Sequence, residues 1–177
     1  MRLSDRSGVF VEIIRKEGKI MLNYRKADII TATEDIVVNA ANGFGWMGGF
    51  LSRIHKFHGI AEAINYETKG QVEKEIRKRF RIYFPGQVFF TQGYGIGKIG
   101  IIHAVTMIIP GWWARERTVK KLLPKVVELA KEKGAESIAI PYLGCGTGRL
   151  KQVKVQKIYE EFFGQQDMEL DIVVYYL

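Results

Sequence analysis

Two glycine-rich segments, each between a predicted strand and a predicted helix, constrain the fold of this chain more than any other feature. Residues 42–49 (Asn-Gly-Phe-Gly-Trp-Met-Gly-Gly) follow the apolar stretch 36–41, and residues 143–148 (Leu-Gly-Cys-Gly-Thr-Gly) follow 137–142. A glycine turn between a parallel strand and a helix exposes backbone N–H groups, and the start of the helix adds partial positive charge. Open α/β sheets bind ligands at the carboxyl ends of their strands. The two segments therefore predict a site for a phosphate-bearing ligand, with a diphosphate held between them; the alternative is that the glycines only form tight turns.

The pattern of apolar residues predicts an α/β protein. Apolar runs at 9–14 and 20–24 indicate a β-hairpin. The other predicted strands are 35–41, 87–92, 100–105, 137–142 and 170–176, and the predicted helices are 49–57, 60–80, 118–133 and 155–163. Pro124 within 118–133 predicts a late start or a kink, and Gly134 ends that helix. The alternation of strand and helix in the later half favours a largely parallel sheet covered by helices.

Length and composition favour one domain in the cytosol. The 177 residues contain no repeat or linker-like segment, and an apolar fraction of 47% is ordinary for a globular protein. No apolar stretch reaches the roughly 18 residues that a membrane span needs, and no signal-peptide core follows residues 1–6. The single cysteine, Cys145, excludes an internal disulfide and a zinc site built on several cysteines. We therefore expect a cytoplasmic protein with no membrane partner, metal or cofactor.

The formal net charge of +8 favours an anionic partner. Much of this charge lies in the segment 69–81, where six cations occur with only two glutamates between them. The cations are Lys69, Lys74, Arg77, Lys78, Arg79 and Arg81. Weak, sequence-independent contact with nucleic acid would suit such a segment. A solvated cationic surface that only aids solubility is the alternative.

Several segments resemble the signatures of macro domains. The matching segments are 26–30 (Lys-Ala-Asp-Ile-Ile), 38–42 (Val-Asn-Ala-Ala-Asn), 47–49 (Met-Gly-Gly), 54–55 (Ile-His), 137–141 (Ser-Ile-Ala-Ile-Pro) and 143–146 (Leu-Gly-Cys-Gly). The first is similar to the segment whose aspartate recognises adenine, the next three to the first signature, and the last two to the second phosphate loop. The resemblance implies a macro domain over residues 1–177. It would have a three-layer α/β/α fold with a mixed, largely parallel sheet and helices on both faces.

The resemblance also implies that the chain binds ADP-ribose, free or attached to protein or nucleic acid, through two glycine-rich phosphate loops. Carried over position by position, the ligand-binding residues are Asp28, Ile29, Asn42, Gly48, Gly49, Phe50, Gly144, Cys145, Gly146, Thr147, Gly148 and Tyr175.

Four of these positions have a specific implied role. The Asp28 carboxylate would accept from the exocyclic amine of adenine, unless it only caps a turn. Ile29 would pack beside the adenine ring, and Tyr175 would flank it, unless that side chain belongs to the core. Asn42 would hold the distal ribose, because an amide both donates and accepts hydrogen bonds. Asn39 is expected to be structural.

The sequence assigns no catalytic residue, and Asn42 and His55 are the candidates. Cys145 at the start of a helix could be a nucleophile with a lowered pKa, but the resembling proteins carry a cysteine there without that role. His55 could reach the ligand, although an ordinary surface histidine is the alternative. His103 within an apolar strand fits a core histidine.

The second glycine loop resembles that of one subgroup of macro domains. Its Gly-Cys-Gly form, Arg149 and Leu150 after it and a final Val-Tyr strand are typical of terminal ADP-ribose protein glycohydrolases and of relatives that remove ADP-ribose from DNA. The chain departs from the catalytic pattern, however. Met107 aligns with the lysine of these enzymes, Gly148 with an aspartate, and Leu51 with the aspartate of another macro class.

These departures leave the activity open. We expect slow or no cleavage of the linkages that the lysine-dependent enzymes cleave. A binding module for ADP-ribose is the first hypothesis, a hydrolase that removes ADP-ribose or its terminal phosphate is the second, and a basic nucleic-acid-binding domain is the third. Trp112 and Trp113 could form a lid over the distal ribose or a hydrophobic anchor.

Overall fold

The structure of the chain, a computed structural model, describes residues 2–4, 10–16, 19–55, 57, 59–79, 81–164 and 170–177. In these residues the strands are β1 (Arg2–Ser4), β2 (Phe10–Lys16), β3 (Lys19–Lys26), β4 (Ile36–Asn42), β5 (Val88–Thr91), β6 (Gly100–Met107), β7 (Ser137–Pro141) and β8 (Asp171–Tyr176). The helices are α1 (Leu51–Ile54), α2 (Ile60–Glu67), α3 (Gln71–Arg77), α4 (Glu116–Glu132) and α5 (Gln152–Gly164), and a 3-10 turn spans Ile29–Thr31.

The strands form one mixed sheet of eight strands in the order β1-β2-β3-β8-β7-β4-β6-β5. The five strands from β3 to β6 in this order run parallel, whereas β1, β2 and β5 pair antiparallel with their neighbours. The pairing of β4 with β6 ends at Asn42 and Met107, so these two residues lie side by side at the carboxyl edge. The mixed, largely parallel sheet predicted from the sequence is confirmed.

Alternate residues of β4 face two hydrophobic layers, which explains its continuous apolar sequence. Ile36 and Val38 pack in one core cluster with α4 and α5, and Val37 and Ala41 pack in the other with α2 and α3. Helices therefore cover both faces of the sheet, and the three-layer α/β/α architecture is confirmed. Within the residues described, no helix has the length and apolar character needed to span a bilayer.

The helices of the first half are shorter than predicted. The helical stretch expected over 49–57 is only the single turn α1, and the helix expected over 60–80 divides into α2 and α3. The division lies at Lys69 and Gly70, which adopt φ values of 50° and 79°. This left-handed backbone ends a helix, and glycine adopts it without steric strain.

The hairpin and the later helices differ from the predictions only in their ends. β2 and β3 pair antiparallel as expected, although residues 9, 17 and 18 lie outside the described residues. Helix α4 begins at Glu116 and runs through Pro124 to Glu132, so the late start predicted from that proline is wrong. Gly134 follows the helix with a φ of 73°, as its position predicts.

Candidate functional site

A cavity of about 810 Å³ opens at the carboxyl edge of the parallel strands. Of the residues expected to bind ligand, most line it: Asp28, Ile29, Asn42, Gly144, Cys145, Gly146, Thr147, Gly148 and Tyr175. The structure does not bring Gly48, Gly49 or Phe50 to this cavity. The position of the cavity agrees with the expectation for an open α/β sheet.

The second glycine loop, residues 144–148, is tied to the rest of the protein through its backbone. The Leu150 N–H donates to the Gly144 carbonyl, and the Ala114 N–H donates to the Gly148 carbonyl, both at 3.0 Å. Gly144 has a φ of 79°, and a Cβ there would lie 2.8 Å from the Cβ of Ala114. Gly146 is different, because a Cβ at this position would meet no atom within 4 Å. The loop is therefore rigid at its two ends and open in its middle, where it faces the cavity.

Cys145 in this loop lies in surroundings that disfavour its thiolate form. Burial raises the pKa of its thiol to about 11, so the thiol stays protonated. This favours the interpretation that the cysteine is a small residue in a tight loop.

Asn42 at the end of β4 shapes the loop that follows. Its Oδ1 accepts from the backbone N–H groups of Phe44 and Trp46, each at 3.1 Å, and its Nδ2 donates to the Trp46 carbonyl at 2.7 Å. These bonds use one of the two amide N–H groups, so the other can serve a ligand. Asn42 thus has a structural role in addition to lining the cavity.

Gly48 and Gly49 turn the chain away from the cavity. Their φ values are 93° and 62°, and the Gly49 carbonyl accepts from Ser52 Oγ and Asn65 Nδ2, each at 3.0 Å. Phe50 points outward and is 70% exposed. The backbone segment that instead lines this side of the cavity is 59–63 (Gly-Ile-Ala-Glu-Ala), at the start of α2.

Segment 59–63 has the properties that a phosphate loop requires. Gly59 occupies the N-cap position of α2, and no side chain caps the first N–H groups of this helix. Backbone donors at an uncapped helix start are groups that can bind a ligand anion. The sequence carries a local indication of such a loop, because Gly59 directly precedes small and apolar residues that begin an amphipathic helix. The sequence analysis expects the first phosphate loop at the preceding Met-Gly-Gly instead.

A buried carboxylate holds the loop between β4 and α1 in place. The fully buried Glu73 accepts from Arg77 Nη2 at 2.9 Å, from Asn65 Nδ2 at 3.2 Å, and from Arg53 Nη2 and the Met47 N–H at 3.4 Å. Removal of one partner from such a buried set leaves uncompensated charge. Sequence reasoning placed Glu73 in an exposed basic segment and missed this role.

At the other end of the cavity, Asp28 and Tyr175 line the wall and also form structural hydrogen bonds. Asp28 Oδ1 accepts from the Ile30 N–H at 3.1 Å and caps the 3-10 turn, and Asp28 also lines the cavity. The Tyr175 hydroxyl donates to Glu34 at 3.0 Å and accepts from Arg25 at 2.7 Å. Burial, reinforced by Glu34, raises the pKa of Tyr175 to about 12. Tyr175 therefore belongs to the core while its ring lines the cavity.

The two histidines that the structure describes, His55 and His103, lie away from the cavity. His55 is exposed at the end of α1 and does not line it. His103 is fully buried between Asn39 at 3.1 Å and Thr91 at 2.8 Å, and burial lowers its pKa to about 3. His103 is thus a neutral core histidine, and Asn39 is structural, as expected. No group of three or more potential metal ligands occurs in the part of the chain that the structure describes.

The structure also shows where the three positions lie that depart from the catalytic pattern of the resembling enzymes. Met107 is buried and lines the cavity, whereas Leu51 is exposed outside it. A Cβ at Gly148 would lie 2.6 Å from the Gly144 carbonyl oxygen, so this position cannot accept an aspartate without a shift of the loop. Trp112 and Trp113 lie outside the cavity lining, at 59% and 74% exposure.

The lining has an unusual charge distribution. Among its described residues it contains no lysine, arginine or histidine, and its acidic side chains are Asp28 and Glu62.

Comparison with known proteins gives the same architecture. Residues 38–159 match the Macro domain family. An ADP-ribose glycohydrolase from Archaeoglobus fulgidus is 30% identical over 178 aligned positions, covering 90% of this chain and 88% of that protein. The macrodomain of Mycobacterium tuberculosis DarG superposes with a TM-score of 0.70 at 24% identity, over 89% of this chain and 98% of that one. The Trypanosoma brucei macrodomain in complex with ADP-ribose superposes with a TM-score of 0.70 at 20% identity, over 88% of this chain and 63% of that one.

The fold and the cavity define an α/β domain with a cavity at the carboxyl edge of its parallel strands. The chain belongs to the macro domain family. The family resemblance stated from the sequence is confirmed.

Proposed function

We propose that the cavity binds ADP-ribose, free or attached to a macromolecule. The observation that carries this proposal is the pair of glycine-bearing segments, 59–63 and 144–148, which line one cavity at the carboxyl edge of the sheet. Relatives that include an ADP-ribose glycohydrolase and a macrodomain solved with ADP-ribose support the choice of ligand. The cytoplasmic location expected from the sequence is part of this proposal.

The chemistry of the lining gives the ligand one orientation. Adenine would lie at the end formed by Asp28, Ile29 and Tyr175, where the Asp28 carboxylate can accept from the exocyclic amine. The diphosphate would lie between segments 59–63 and 144–148. The distal ribose would then reach Asn42, beside Met107, at the ends of the paired strands β4 and β6.

In this proposal backbone groups hold the diphosphate, since the lining residues that the structure describes include no cationic side chain. The free N–H groups and the dipole at the start of α2 supply the positive potential that a lysine or arginine supplies elsewhere.

Isothermal titration with ADP-ribose, GDP-ribose and ADP tests this proposal. We expect ADP-ribose to bind with about −7 to −8 kcal/mol, which corresponds to micromolar dissociation constants. GDP-ribose should bind more weakly because its base presents a carbonyl to Asp28, and ADP should bind more weakly because it lacks the distal ribose. Equal affinities for ADP and ADP-ribose would contradict the ribose assignment, and absence of ADP-ribose binding would refute the proposal.

A surface beside the cavity favours a single-stranded nucleic acid as the macromolecule that carries the ADP-ribose. Gly111 lines the cavity, and the two residues after it, Trp112 and Trp113, expose most of their side chains. Nucleobases stack on exposed aromatic rings with little dependence on sequence. Such a pair next to a ligand cavity suits bases that flank a modified nucleotide.

Two cations accompany these tryptophans. The backbone bond from Ala114 to Gly148 joins the two segments, so the residues that follow each, Arg115 and Arg149, lie near one another. Both are exposed, and neither forms an ion pair with a residue that the structure describes. In the basic segment 69–81, by contrast, two arginines are paired with glutamates. The surface formed by residues 112–115 and 149 is therefore the better candidate for phosphate contact.

Fluorescence anisotropy with a labelled single-stranded oligonucleotide compares the two surfaces. The double variant Arg115→Ala with Arg149→Ala should weaken binding by about tenfold or more, and Trp113→Ala by a similar factor, since one stacked base contributes about 1–3 kcal/mol. The matched control is Lys74→Ala with Lys78→Ala, on the other basic surface. If only this control weakens binding, segment 69–81 is the nucleic-acid surface instead.

A further inference from the structure

One carboxylate of the cavity lies where the diphosphate of the proposed ligand would bind. Glu62 is in the first turn of α2, is half-buried and lines the cavity. A Cβ at Gly59 would overlap its Oε2 atom and would lie 2.9 Å from its Cδ. The carboxylate therefore rests against Gly59 at the start of α2, within the segment 59–63 to which we assign the diphosphate.

No hydrogen bond holds the carboxylate of Glu62 in this position. It forms neither a hydrogen bond nor an ion pair with any residue that the structure describes. Glycines at 48 and 59 leave room for its Cγ and its carboxylate, and the partial positive charge of a helix start stabilises an anion there. The side chain can therefore turn away from Gly59 about its own rotatable bonds without breaking a hydrogen bond to those residues.

The two acidic side chains of the described lining would meet different parts of the ligand. In the proposed orientation Asp28 faces the exocyclic amine of adenine, which donates hydrogen bonds. Glu62 would instead face ionised phosphate oxygens, which only accept them. The described lining contains no lysine, arginine or histidine that could offset this repulsion. Glu62 therefore opposes the diphosphate until its side chain moves.

We propose that Glu62 is a specificity residue, a role that rests on the proposed binding of ADP-ribose. Its carboxylate occupies the diphosphate position in the free protein and gives way only to an anion that is anchored elsewhere in the cavity. Small inorganic anions contact only the two phosphate-binding segments, so nothing offsets the repulsion that they meet. ADP-ribose also gains contacts with Asp28, Ile29 and Asn42, and these offset the displacement of Glu62. The cavity thus admits a nucleoside diphosphate with its sugar and excludes free phosphate and pyrophosphate.

Glu62→Gln tests the proposal, because glutamine keeps the size of the side chain and removes its charge. In isothermal titration the Kd for ADP-ribose should fall by about fivefold to fiftyfold, as expected when repulsion between neighbouring charges in a partly hydrated site is removed. Adenosine has no phosphate, so its affinity, measured by competition with ADP-ribose, should be equal for the wild type and Glu62→Gln. The control Glu128→Gln removes an exposed carboxylate of α4 outside the cavity and should bind both ligands as the wild type does.

Pyrophosphate is the probe for the exclusion of free anions. In competition with ADP-ribose, its Kd should be at least about tenfold lower for Glu62→Gln than for the wild type, since the start of α2 then attracts the anion without a neighbouring carboxylate. The difference between the two proteins should shrink as the salt concentration rises, because salt screens the charge of a half-exposed side chain.

The possible outcomes separate this proposal from the proposed function. Equal or weaker binding of ADP-ribose by Glu62→Gln, with binding by the wild type, would overturn the role of Glu62 alone. A gain in affinity that adenosine shares would also contradict it, because the change would then lie outside the diphosphate position. Equal competition by pyrophosphate in both proteins would refute the exclusion of free anions. Failure of the wild type and of every variant to bind ADP-ribose would overturn the proposed function as well.

Discussion

Gly148 provides the sharpest test of the second glycine loop, because the same loop contains a matched control. A Cβ at Gly148 would lie 2.6 Å from the Gly144 carbonyl oxygen and 2.8 Å from the Ala114 Cβ, whereas a Cβ at Gly146 would meet nothing within 4 Å. The Gly148 carbonyl also accepts from the Ala114 N–H at 3.0 Å. Gly148→Ala must therefore move backbone that is bonded on two sides, and Gly146→Ala moves nothing.

The expected magnitude follows from these contacts. Overpacking of a tight site costs about 1–3 kcal/mol of unfolding free energy, and the melting temperature of a domain of this size falls by roughly 2–4 °C per kcal/mol. Gly148→Ala should therefore lower the melting temperature by about 2–12 °C. Gly146→Ala should be neutral or slightly stabilising, because alanine reduces the freedom of the unfolded chain and this glycine has no positive φ.

Thermal unfolding, followed by circular dichroism, measures the stability of each variant. Titration with ADP-ribose measures its affinity, which shows whether the loop keeps the geometry that the ligand needs. Gly148→Ala should lower both the melting temperature and the affinity. Equal melting temperatures and equal affinities for the two alanine variants would refute the argument that the loop is rigid at Gly148 and open at Gly146.

Three further predictions concern single positions in the cavity. Asp28→Ala should weaken ADP-ribose binding by about 1–3 kcal/mol, whereas Asp28→Asn keeps the cap of the 3-10 turn and separates binding from stability; unchanged titration curves for both would show that Asp28 is only a cap. Gly146→Glu should abolish binding without a loss of melting temperature, since its side chain enters open space and repels phosphate, and retained affinity would exclude the loop from phosphate binding. Cys145 should react slowly with iodoacetamide at pH 7 and faster as pH rises toward its pKa of about 11, in a mass-spectrometric time course; rapid labelling at pH 7 would contradict a protonated thiol.

The sequence predicted the features that depend on local pattern. The strand at 36–42 and its neighbours are apolar throughout because they are buried on both faces, and this pattern indicates a parallel centre. The second glycine loop was placed correctly because the strand before it and the helix after it are both strongly patterned. The burial of His103 followed in the same way from its apolar strand.

The segment 59–63, which we propose for phosphate binding, could not be found by pattern alone. Two glycine-bearing stretches, 42–49 and 59–63, precede helical sequence, and local sequence does not show which of them faces the sheet edge. The position of the earlier stretch depends on Glu73, about 25 residues away, which accepts hydrogen bonds from Met47 and Arg53. Such long-range contacts between polar groups have no signature in hydrophobic periodicity.

The charge distribution leads to a final prediction, because the cations that the structure describes lie outside the cavity lining. The described lining has no basic side chain, while the net charge is +8. ADP-ribose held by backbone N–H groups in a cavity should lose little affinity as salt rises, because screening acts mainly on exposed charges. Oligonucleotide binding through Arg115 and Arg149 should instead fall steeply between 50 and 200 mM salt, a range over which about six phosphate contacts lose roughly 1,000-fold and about two lose roughly tenfold. Titration of the two ligands over the same salt series therefore distinguishes two separate modes of recognition. If both affinities fall in parallel, the diphosphate is held by exposed cations, and the assignment of segments 59–63 and 144–148 to phosphate binding is wrong.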